Sequence, residues 1–135
     1  MASGAGAIHV HVHDDNGKES VAPDDVARRL NAIRAVCPHT PVGISTGAWI
    51  VRDAAKRMEL VRKWATLPDF ASVNVHEEGA IKLIRVLLDI KGIGVEVGVW
   101  NQRDAEILIS SGLADECLRL LLEPIEPGRR IGRNG

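Results

Sequence analysis

Five short runs of β-branched and aliphatic residues recur along this chain at intervals of roughly 25–35 residues, and a stretch of helical periodicity separates each from the next. No other feature limits the fold so tightly. Residues 7–12 read as the first strand, with Ile8, Val10 and Val12 on one face. Asp14, Asp15, Asn16 and Gly17 make a turn cluster, and Pro23 opens a helix in which Val26, Leu30 and Ile33 form the apolar stripe. Cys37-Pro38 ends it. Residues 42–45, 71–75, 93–99 and 118–122 are the later strands, and helices are expected over 53–64, over 77–90 and from Asn101 or Gln102 to about Ser111-Gly112. Asp24, Asp25, Glu77 and Glu78 stand at expected helix starts, where the positive end of the helix dipole favours carboxylates.

Strand–helix alternation of this kind builds a parallel sheet with right-handed crossovers. With three Trp, one Phe and no Tyr, the core must be aliphatic, which suits strands buried on both faces. Two architectures fit: an open doubly wound sheet, or part of a (β/α)8 barrel. A complete barrel takes about 250 residues, so a chain of 135 residues holds at most part of one. No Gly-x-Gly-x-x-Gly follows the first strand, which leaves a dinucleotide site unsupported. Residues 1–126 are expected to form one unit, and the Arg- and Gly-rich residues 127–135 a mobile tail.

The formal net charge of -1 gives no reason to expect nucleic acid or an anionic membrane as partner. No run of about 18 apolar residues is present, and the start of the chain lacks the charged and apolar regions of a signal peptide. Cys37 and Cys117 have no metal-ligand spacing and read as reduced thiols, so the expected location is the cytoplasm.

The chemistry concentrates at the end of the first strand, in His9, Val10, His11, Val12 and His13. Residues two apart on a strand point the same way, with Cβ atoms about 6–7 Å apart, a gap that two imidazoles can close onto one metal ion. Imidazole with carboxylate ligation suits zinc, with iron or manganese as alternatives. His13 lies past the expected strand end. A catalytic zinc has three protein ligands as a rule, so His76, Glu77 and Glu96 are candidates to complete the set, whereas His39 flanks a helix end and is expected in solvent. The other strand ends are polar as well. Ser45, Thr46 and Gly47 follow the second strand, Ser72 and Asn74 share a face of the third, and Glu96 interrupts the apolar fourth, where a carboxylate needs a partner or a metal.

The ordered set Gly6-Ala7-Ile8-His9-Val10-His11, Asp14-Asp15-Asn16-Gly17, Ile44-Ser45-Thr46-Gly47, Ala71-Ser72-Val73-Asn74 and Val95-Glu96-Val97 resembles the β-keto acid cleavage enzymes, the family of 3-keto-5-aminohexanoate cleavage enzyme. The resemblance implies a zinc-dependent TIM barrel, of which this chain corresponds to strands two to six. It implies His9 and His11 as metal ligands, and Ser45, Thr46, Ser72, Asn74 and Glu96 as the substrate-binding set. Many family members have Arg where this chain has His13, and Thr where it has Ser72. The third metal ligand, the carboxylate base and a substrate-binding arginine belong to later barrel units that this chain does not match. The implied reaction is retro-Claisen cleavage of a β-keto acid with acyl-CoA as partner, by a homo-oligomer or with a complementing chain. Two other readings stand beside it: a His-x-His metal-dependent hydrolase, and an inactive or partner-dependent barrel fragment from a truncated, decayed or split gene.

Overall fold

The computed structural model describes residues 6–122, so the expected Arg/Gly tail lies outside the described residues. Five strands, β1 (Ile8–Val10), β2 (Val42–Ser45), β3 (Phe70–Asn74), β4 (Gly94–Val99) and β5 (Arg119–Leu122), form one sheet in which every neighbouring pair is parallel and the spatial order is the chain order. Helices α1 (Pro23–Val36), α2 (Ala54–Arg62), α3 (Ala80–Arg85) and α4 (Gln102–Ser111) make the four crossovers. Right-handed crossovers between successive neighbours put every helix on the same side of the sheet. A doubly wound sheet reverses its strand order at a switch point; this one does not. The fold is therefore a partial (β/α) barrel with five parallel strands and four intervening helices.

Period two divides the strands between two environments. Val42 and Ile44 of β2, Ala71 and Val73 of β3, and Val95, Val97 and Val99 of β4 pack with Val26 and Leu30 of α1, Val61 of α2, Leu83 and Ile84 of α3 and Leu108 of α4 in one buried aliphatic cluster. The alternate residues form the inner face: His9, Gly43, Ser45, Phe70, Ser72, Asn74, Glu96, Gly98, Arg119 and Leu121. Phe70 accounts for one glycine there, since a Cβ on Gly43 would fall 2.0 Å from its ring. Trp64, past the end of α2, is buried and ties the outer layer to the α1 entry by donating its Nε1–H to Val21 O at 2.8 Å.

Several boundaries shift by a few residues from the sequence reading, and three of the shifts have a clear local reason. Strand β1 stops at Val10, two residues early, because the chain turns back on itself: Ser20 N donates to Val12 O, His13 bridges Glu19 in antiparallel fashion, and Asp14 Oδ1 caps the turn. Helix α2 starts at Ala54, with Asp53 as its N-cap accepting from Ala55 N and Lys56 N. Helix α3 starts at Ala80 rather than at residue 77, because Gly79 is left-handed (φ 76) and cannot be a helical residue; Glu77 and Glu78 lie in the turn before it. Its last turn, Val86–Ile90, is a π-helix.

Candidate metal and substrate site at the strand ends

His9 stands on the inner face of β1 and His11 just beyond the strand end. Although His11 has left the ladder, the two rings stay together, with centroids 5.6 Å apart and edge to face. His9 is held from two sides. Its Nε2 lies 3.0 Å from Ser45 Oγ, which the β1–β2 pairing brings alongside, and its Nδ1 lies 3.8 Å from Glu96 Oε1. Burial pushes the His9 pKa below the ordinary imidazole value; Glu96 opposes that shift and His11 adds to it. The neutral ring is the form that can give a lone pair to a metal. His11 Nδ1 lies 3.2 Å from Glu19 Oε2, and Trp49 Nε1 donates to that same oxygen at 2.9 Å.

Glu96 has the partner that its burial requires. It pairs in register with Arg119 of β5, whose Nε lies 3.2 Å from Glu96 Oε2 in an ion pair while the guanidinium lies 5.7 Å from the Phe70 ring centroid. At 3.2 Å the permanently charged Arg119 holds Glu96 more closely than His9 does at 3.8 Å, so the carboxylate is turned mainly to β5.

His9, Ser72, Asn74 and Glu96 line one concavity of about 500 Å³ together with Trp49, Gly98, Trp100 and Leu121. Ser45 meets it through His9. Thr46 does not line it: its side chain is fully buried, and its hydroxyl donates to Ser72 O at 2.7 Å, tying the end of β2 to β3. The Trp100 indole N–H is buried and lacks an acceptor among the described residues. A larger groove of about 930 Å³ between the starts of α2, α3 and α4 shares none of these site residues.

The other metal-ligand candidates go elsewhere. His76 Nδ1 lies 3.8 Å from the buried carboxylate of Asp104, and its ring packs on Trp100 at 4.3 Å. Glu77 accepts from Asn74 Nδ2 at 3.3 Å. Among the described residues, no three His, Cys, Asp or Glu side chains form a metal-holding group. Of the expected set, two imidazoles are brought together and no third ligand joins them.

Three residues of this neighbourhood escaped the sequence reading. Arg119 had a usable signal, as an inner-face cation in the expected fifth strand opposite an inner-face acid in the fourth. Glu19 and Trp49 had none, because only the turn after β1 and the loop after β2 bring them to His11.

A sequence model of the beta-keto acid cleavage enzyme family matches residues 1–102. The chain is also similar to a curated 3-keto-5-aminohexanoate cleavage enzyme of Fusobacterium nucleatum subsp. nucleatum, with 29% identity over 110 residues, covering 74% of this chain and 40% of the relative. The chain thus spans less than half the length of that relative.

Proposed function

The chain belongs to the beta-keto acid cleavage enzyme family, and on that premise we propose that it carries one wall of a zinc site for carbon–carbon cleavage of a small β-keto acid, with acyl-CoA as the second substrate. The observation that carries this reading is the adjacent pair His9 and His11, the first of which lines a concavity together with Ser72, Asn74 and Glu96.

The donor chemistry fits zinc at two of its usual three protein positions. His9 and His11 would hold the ion, which when bound supplies Lewis acidity to the substrate's keto group. Ser45 positions the His9 ring through Nε2. The Ser72 hydroxyl and the Asn74 amide, on one face of β3, are placed to donate hydrogen bonds to oxygen atoms of a bound acid, the kind of preorganised donor that stabilises developing negative charge. Arg119, 3.2 Å away, anchors the Glu96 carboxylate, so the wall presents a paired acid rather than an unpaired one.

The general base and the third ligand come, on this reading, from further barrel units outside the described residues. Among the described residues, no helix is long and apolar enough to cross a membrane.

Metal analysis of the purified chain beside the H9A/H11A double variant tests the proposal. Zinc should co-purify with, or titrate into, the first and not the second; equal zinc in both overturns it. Acyl-CoA-dependent consumption of a β-keto acid, by the chain alone or with added partner, tests the assigned reaction.

A further inference from the structure

We infer that Glu19 and Trp49 form a positioning pair that fixes the tautomer of His11 and so aims its Nε2 lone pair at a divalent cation. This rests on the reading of His9 and His11 as a metal pair, and it assigns work to two residues outside the motifs that identify the family.

The geometry is specific. Glu19 Oε2 receives His11 Nδ1 at 3.2 Å and the Trp49 indole N–H at 2.9 Å, so one oxygen serves both rings. A carboxylate accepts and cannot donate, so His11 must carry its proton on Nδ1 to make that bond, which leaves Nε2 bare. A second carboxylate oxygen without the Trp49 bond could rotate into the same place; the indole N–H pins the one that His11 uses. Carboxylate–histidine–metal arrangements orient the ring and raise its basicity in this way.

Both partners are delivered by built structure. The turn at Asp14 to Gly17 reverses the chain so that Glu19 lies back-to-back with His13 and within reach of His11. Trp49 reaches Glu19 by lying over Gly47, where a Cβ would come within 1.9 Å of the indole. The Trp49 ring also lies near His11, tilted by 35° with 6.4 Å between centroids. Gly47 is thereby explained as the residue whose missing side chain lets the indole fold down.

The test has an arm that needs no metal. In the metal-free chain at pH 7.5, 15N shifts of the imidazole should report the Nδ1–H tautomer for His11. Glu19→Ala should move it toward Nε2–H, and Glu19→Gln, whose amide oxygen can accept from the same two donors, should restore it. In the second arm, calorimetric titration with Zn2+ alone should show affinity about 10- to 100-fold weaker in Glu19→Ala, an intermediate loss in Trp49→Phe, and near-native affinity in Glu19→Gln. Wild-type affinity in Glu19→Ala, with binding lost in H9A/H11A, overturns the role given to Glu19 and leaves the metal pair standing. Equal binding by H9A/H11A and the wild type, or none by either, overturns the metal reading itself. An Nε2–H tautomer in the wild-type chain overturns the inference whatever the metal data show.

Discussion

At the residue scale the site is a set of side chains that constrain one another's protonation. His9 is the clearest case. Burial lowers its pKa from 6.5, and Glu96 pulls the other way. In the metal-free chain its NMR titration midpoint should therefore lie below 6.5, and Glu96→Gln should lower it further, since the raising charge is removed while Arg119 remains; an unshifted midpoint would contradict the burial argument. The sign for stability follows. Unfolded His9 takes up a proton near 6.5 and folded His9 only at lower pH. Between those values the unfolded state binds more protons, so this group lowers stability as pH falls and contributes nothing above that window. Cys117 is a second readout, away from the histidines. Burial, with Glu116 beside it, pushes its thiol above 9.0, so in a Cys37→Ser background it should react with a thiolate-selective reagent at pH 8 more slowly than a free cysteine, and at the free rate once the chain is denatured. The histidine pair was legible from period two alone. The grip on it was not: Glu19 lies eight residues from His11 and Trp49 thirty from Glu19, and no local periodicity relates them.

At the scale of the elements, strand and helix identity followed from apolar periodicity, and what moved was their ends. Helix α3 shows why. The acids at 77 and 78 look like first-turn residues, but Gly79 at φ 76 forces the helix to begin after it. Gly79→Ala should cost about 1–2 kcal/mol through the left-handed backbone, read as a lower urea midpoint. Gly43 is constrained by space rather than by dihedral. Its missing Cβ is where the Phe70 ring sits, 2.0 Å away, so Gly43→Ala should destabilise the sheet by about 1–3 kcal/mol, and Phe70→Leu in the same chain should recover part of that loss. A urea midpoint equal to wild type in Gly43→Ala would show that the inner layer is looser than this packing. Neither glycine announced its reason in the sequence, because one answers to a turn and the other to a ring on the next strand.

At the scale of the whole molecule the decisive fact is strand order. The order β1-β2-β3-β4-β5, parallel throughout, leaves helices on one side and an inner face that five strands do not close. Strand β5 is exposed along its length, with Leu120 at 46% and Leu122 at 73%. An uncovered apolar edge invites a further strand or another chain. On gel filtration the 14.6 kDa chain should therefore elute larger than a monomer, and Leu120→Lys/Leu122→Lys should shift it toward monomer size without removing the βα units that precede β5; identical elution of the two would rule out this edge as the contact. The sequence by itself determined the alternation, the aliphatic outer layer and the histidine pair, because burial on a strand or helix face is written as a short-range period of two or 3.6 residues. Periodicity left an open sheet and a barrel wall both standing, the family resemblance pointed to the barrel, and the strand order bore that out; only the tertiary structure gave Glu96 to Arg119 and Thr46 to a backbone carbonyl, and joined Glu19 and Trp49 to His11. Those outcomes depend on which distant segments meet, and long-range register leaves no period in the chain to read.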